Sequence, residues 1–342
     1  MELKRVLQLD GWRAIAVSMV IAGHLAQNQH VDRLLQDLHL RWLGNYAETG
    51  VYIFFCISGY VITRGLLSEG ERNGRISISA FYVRRGFRII PPLLLYLLVL
   101  LCLDQLEIIN QPFRNTVGAF FFVCNNAWAS CNWFSGHTWS LAFEEQFYLL
   151  APALIVLWKF RERPHPLILL ALGFAVLPLF SPLHWLGNIG FLKVYLLLVA
   201  GGAVAANEIK PRFALKANRT LLLVFALVVL IAFPFIRSTA IQHIVGPLFF
   251  PIAIPALIFY RAKFLEAAPF LFFGKISYSV YLWQQLGSGG ATLTPLELAG
   301  TLSLSILAAY LSYEFVEKRF ISMGTRHSRQ IMEGEAVRRL PA

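Results

Sequence analysis

The chain has 342 residues, 57% of them hydrophobic and only 14% charged, with a mean hydropathy of +0.60 and a formal net charge of +11. A soluble domain is nearer about 45–50% apolar and about 25% charged, so these values exclude an ordinary soluble enzyme and specify a polytopic membrane protein. The basic excess does not mark a nucleic-acid-binding protein, because Lys and Arg recur between apolar runs rather than in one patch.

An all-α bundle of about ten transmembrane helices is expected, over residues 11–28, 46–66, 87–106, 138–158, 167–183, 190–207, 220–236, 245–261, 269–287 and 298–315. Each is close to the ~20 residues that a bilayer core requires. No cleavable signal peptide is expected, since Asp10 and Arg13 interrupt the stretch that follows Lys4 and Arg5. With the N-terminus cytoplasmic, only Arg33, Arg41, Arg114, Lys193 and Arg237 of the 30 Lys and Arg fall outside. So asymmetric a split places both termini in the cytoplasm. Residues 1–320 are then one membrane domain and 321–342 a polar, basic cytoplasmic tail.

The longest outside segment, about 107–137, contains "FFFVCNNAWASCNWFSGH". Its aromatics suit an interfacial, partly re-entrant cap. Cys124 and Cys131 lie there; pairing in an oxidising compartment and two buried thiols both remain open. Cys56 and Cys102 fall within helices and read as core packing.

Four polar features stand out. In "RAIAVSMVIAGH", Arg13 and His24 are eleven residues apart, roughly 1100° of helix or about 20° from three whole turns, so they share one face about 16 Å apart. An imidazole inside a span is a functional candidate, or else a packed histidine bonded to a neighbouring helix. "HTWSLAFEEQFYLL" opens the fourth span, with Glu144 and Glu145 roughly 10 Å below its outer end and Ser140, Glu144 and Tyr148 on one face. That depth matches the estimate for His24, so a carboxylate–imidazole pair is expected; a structural salt bridge is the alternative. "FYVRRGFRIIPP" gathers Arg84, Arg85 and Arg88 ahead of a Pro-Pro helix start. They are either a phosphate site or ordinary positive-inside charge. In "FFCISGYVITR", Ser58-Gly59 lets a helix or a ligand approach closely.

Together with "LDGWRAIAVSMVIAGH" and "FFGKISYSVYLW", these stretches resemble the family-3 membrane acyltransferases, in family order over residues 9 to about 320. The resemblance implies a membrane-only O-acyltransferase of the bacterial cytoplasmic (inner) membrane. Its donor would be acetyl-CoA from the cytoplasm and its acceptor an exported or lipid-linked glycan, with no permanently bound cofactor and no metal. It implies catalytic roles for His24, Arg13, Glu144 and Glu145, and acyl-CoA binding by Arg84, Arg85, Arg88 and Ser58. Supporting roles fall to Asp10, His137, Trp139, Ser140 and Tyr148. Two departures from the family pattern, Gln284 after "YLW" and "EKRF" at 317–320 without a proline, are expected to lie far from the catalytic pair. On this reading His24 is the general base, a glutamate orients it, and the arginines hold the donor phosphates. No Cys or Ser sits in a recognisable nucleophile motif, so direct transfer is expected. A glycan or acyl transporter, or a non-catalytic scaffold, are the rival readings.

Overall fold

The computed structural model describes residues 6–126, 129, 131–161, 190–209, 218–236, 239–289 and 292–337. The described residues form helices joined by short turns, with no strand among them. In chain order the α-helices are α1 (Gln8–Leu25), α2 (Gln29–Asp37), α3 (Ala47–Asn73), α4 (Ile78–Gln105), α5 (Phe113–Phe120), α6 (Trp133–Gly136), α7 (Trp139–Arg161), α8 (Gly190–Ile209), α9 (Arg219–Ala232), α10 (Thr239–Ile258), α11 (Ala268–Lys275), α12 (Ser277–Ser288), α13 (Pro295–Ser312) and α14 (Lys318–Val337). The span expected over 167–183 lies outside the described residues.

Three helical runs among the described residues are long and apolar enough to cross a membrane: α3, α4 and the continuous stretch Pro295–Val337. Their outward faces carry exposed leucines such as Leu98 and Leu304, where a soluble protein places charge. The inward faces hold the core, with Tyr52, Phe55, Leu93 and Tyr96 at most 1% exposed. Helix pairs close through small residues. A Cβ on Gly59 of α3 would strike the Leu198 backbone of α8, and one on Gly201 would strike Cys56. Where lipid is as apolar as leucine, such close contact replaces the hydrophobic drive as the force between helices.

Several expected boundaries shift. Helix α3 runs seven residues beyond 66 and ends at Gly74, whose φ of 69° supplies a left-handed cap. Helix α4 begins nine residues before 87, where the Ser77 hydroxyl accepts the Ala80 N–H at 3.3 Å. Arg84, Arg85 and Arg88 therefore stand on the helix, and Pro91 and Pro92 lie inside it rather than at its start. The ninth expected span is two helices broken at Ile276. Residues beyond 320 are helical to Val337 and lie along α4: Arg75 donates to the carbonyls of Met332 and Glu335, and His327 stacks on Phe87. Between α13 and α14, Tyr313–Glu317 widens into a π turn, a local register shift often found at functional sites. Cys124 and Cys131 form a disulfide, Cys56 is buried, and Cys102 is exposed, contrary to the core position expected for it.

Candidate active site

Three elements bring the polar residues together. Helix α1 carries Asp10, Arg13 and His24 along the bundle interior. It is held there because α11 presses against it: a Cβ on Gly274 would collide with the Asp10 backbone. The break at Ile276 then turns α12 so that Ser277, Tyr278 and Tyr281 face the centre. Finally, the cap dips inward. Ser135, His137 and Thr138 are 0–5% exposed, so α7 begins well below the surface.

The central cavity, of about 90 Å³, is lined by Arg13, Ser58, Arg85, Arg88, Glu144 and Tyr148, with Ser140, Tyr278, Tyr281 and several apolar side chains among the rest of its wall. Glu144 accepts hydrogen bonds from Ser58 (2.8 Å) and Tyr148 (2.9 Å), one on each oxygen. Arg13 pairs with Asp10 at 3.2 Å. The Arg85 guanidinium stacks over the Tyr148 ring at 5.1 Å. Among the described residues neither Arg85 nor Arg88 forms an ion pair. Three guanidiniums thus share one small space with one carboxylate that already accepts a hydrogen bond on each oxygen. Such a surplus of fixed donors suits a phosphate or carboxylate ligand.

Arg84 does not join them. It forms an ion pair with Glu69 at 2.7 Å, and the other Glu69 oxygen accepts the Ser77 N–H at 2.7 Å. Arg84 therefore fastens α3 to the start of α4. Trp139 also stays outside the cavity wall, packed edge-on against Phe55 and Phe143.

His24 has a different partner from the one expected. Its Nδ1 lies 2.9 Å from the Gln284 side-chain carbonyl, and Trp133 meets its ring edge-on at 5.5 Å. Glu144 sits instead with the arginines, near enough to Arg85 and Arg13 for their charges to act on it. Equal depth along two helices does not fix which faces meet, and the face of α7 that bears Glu144 meets Ser58 and the arginines. Glu145 stands outside the cavity wall with Oε1 buried and without a hydrogen bond. Ser140 bonds the Tyr281 hydroxyl at 2.6 Å, which in turn donates to the His137 carbonyl at 2.7 Å. His137 is buried against Tyr96 and Tyr281, near enough to His24 for that group's charge to act on it.

One departure from the family pattern proves to be at the site, and the first residue of the other stretch lies near it. Gln284 is the His24 partner itself. Glu317, fully buried in the π turn, accepts from Ser279 at 2.7 Å and lies within electrostatic reach of Arg88 and Arg13. A sequence separation of 260 between His24 and Gln284 gave no local signal of that contact; the uncharged Gln284-Gln285 pair in an apolar helix was the available hint.

A family model for an acyltransferase domain matches residues 6–313. The O-acetyltransferase OatA of Staphylococcus aureus (strain NCTC 8325 / PS 47) is 33% identical over 315 residues, covering 80% of this chain and 49% of that protein. The peptidoglycan O-acetyltransferase OatA of Listeria monocytogenes is 33% identical over 195 residues, covering 51% of this chain and 28% of that protein. A putative O-acetyltransferase of Staphylococcus aureus (strain COL) is 28% identical over 377 residues, covering 95% and 59%. The chain thus spans about half the length of the curated relatives it matches, and no solved structure matches it. With the family model covering most of its length, the chain belongs to the acyltransferase family that its motifs resemble, the family-3 membrane acyltransferases.

Proposed function

We propose that the protein is an O-acetyltransferase that moves an acetyl group from acetyl-CoA on the cytoplasmic side of the membrane to a hydroxyl of an exported or lipid-linked glycan. One observation carries the reading: Arg13, Arg85 and Arg88 converge on the cavity at one end of α1, while His24 stands on the same helix face about 16 Å further along. The arginines receive the donor phosphates. His24 is the general base. The acceptor oxygen bonds to the thioester carbonyl carbon as its proton passes to His24; the C–S bond then breaks, and the departing thiolate of CoA takes the proton back. The acceptor class follows the relatives, of which one is named a peptidoglycan O-acetyltransferase.

The chain crosses the bacterial cytoplasmic membrane about ten times with both termini inside. The test of function is transfer of label from acetyl-CoA to peptidoglycan fragments or other cell-surface glycans by the purified protein. Labelled product supports the reading, and none with any glycan offered refutes it. Topology is tested with single cysteines at Arg114 and at Arg72 in a background without Cys124 and Cys131. The first should react with an impermeant reagent on intact cells, and the second only after permeabilisation.

A further inference from the structure

The surroundings of His24 are made of neutral groups with a defined direction. Gln284 is 1% exposed. Its side-chain nitrogen donates to the Tyr281 backbone carbonyl (3.4 Å) and to the Gln285 side-chain oxygen (3.0 Å). Its side-chain oxygen faces His24 Nδ1 at 2.9 Å and the Ser288 hydroxyl at 3.2 Å. Reversing the amide would set its oxygen against the Tyr281 carbonyl, which has no proton to give, and its nitrogen against His24. The orientation is therefore dictated by the backbone of α12. An imidazole nitrogen facing an acceptor must carry the proton, and the other is then left with its lone pair. His24 Nε2 makes no hydrogen bond among the described residues. Trp133 holds the ring plane, since its indole is itself tied to the Gln285 carbonyl at 3.1 Å.

We infer that Gln284 is a positioning residue for the transfer reaction: its side-chain carbonyl fixes His24 as the Nδ1–H tautomer and leaves Nε2 free to take the acceptor proton. This inference rests on His24 being the base. A glutamine does here the orienting work for which the sequence suggested Glu144 or Glu145, with one difference. A carboxylate would stabilise the imidazolium, whereas a neutral amide fixes the tautomer without adding charge. The neighbours of His24 from the other packed elements are Trp133 on α6 and His137 on the α6–α7 connection, the latter a titratable group near enough to feel charge on His24.

The experiment compares His24→Ala, Gln284→Met and Gln284→Glu, each checked for folding and donor binding in detergent. Gln284→Met keeps the volume and loses the acceptor, so kcat should fall roughly 10- to 100-fold with donor KM unchanged. Gln284→Glu keeps the acceptor and adds charge, so transfer should persist with the acid limb of its kcat/KM profile moved up by about one pH unit or more. If Gln284→Met does not fold, ¹⁵N spectra of histidine-labelled wild-type protein decide, with Nδ1 protonated and Nε2 bare as the expected result. Wild-type kcat in Gln284→Met, an unmoved profile in Gln284→Glu, or the opposite tautomer would overturn the inference. Activity in His24→Ala would instead overturn the base assignment. An inactive His24→Ala beside an unimpaired Gln284→Met would remove the positioning role alone.

Discussion

The two ends of α1 are built from opposite materials. Around Arg13 the walls are charged: two further guanidiniums, Glu144, and Asp10 on the helix itself. Around His24 they are neutral: two amides, a serine hydroxyl and an indole. The first arrangement suits holding a charged ligand, because preplaced cations in a dry space need no reorganisation. The second suits a group that must change its own charge during the reaction. An imidazole beside a fixed carboxylate is biased towards the imidazolium, whereas beside an amide it rests neutral with one lone pair available. On the proposed function, one helix would separate donor binding from proton transfer over about three turns.

This division can be broken at either end. The largest effect belongs to His24→Ala, which should lower kcat by roughly 10²- to 10⁴-fold, the usual contribution of one general base, with donor KM and thermal stability near wild type. Steady-state kinetics beside a melting curve measures both. Arg88→Ala should do the reverse, raising donor KM by roughly 10- to 100-fold through the loss of a charge-assisted contact while kcat at saturation changes little. A third outcome sharpens the same contrast: raising salt should weaken donor binding yet leave single-turnover transfer from the preformed complex unchanged, as rapid mixing at two ionic strengths would show. The smallest effect belongs to Arg84→Ala. Its guanidinium is committed to Glu69, so donor KM should stay within about twofold. Glu69→Ala, which also strips the acceptor of the Ser77 N–H, should cost roughly 1–3 kcal/mol of stability, visible as a lowered melting temperature without a donor-affinity change.

Helix limits were legible from hydropathy where a single apolar run maps to a single helix, as in α1 and α7, although only α3, α4 and the stretch Pro295–Val337 are long and apolar enough to cross a membrane among the described residues. Three failures have physical causes. Arg84, Arg85 and Arg88 read as a flank because charge is costly in lipid, yet α4 begins at Ile78 and its face bearing Arg85 and Arg88 lines a cavity. Pro91 and Pro92 read as a helix start because proline lacks the N–H of an interior turn, yet the helix continues through both. The break at Ile276 was hidden because apolar residues flank it on both sides. Within the site, Arg13, Ser58, Arg85, Arg88, Glu144 and Tyr148 were each singled out from spacing or from the family resemblance, but Glu144 was grouped with His24 and apart from the arginines, whereas the structure gathers all six in one cavity wall. The His24 partner was not identified, since hydrogen bonding between α1 and α12 depends on how the two helices dock and leaves no periodic trace in either.

The separation of binding from chemistry is tested most directly by equilibrium binding of acetyl-CoA to two purified variants in the absence of any acceptor. His24→Ala should bind the donor with wild-type affinity, and Arg88→Ala should bind it at least tenfold more weakly. Equal weakening in both variants, or weakening in His24→Ala alone, would contradict the assignment of the charged end to the donor and of the neutral end to the proton.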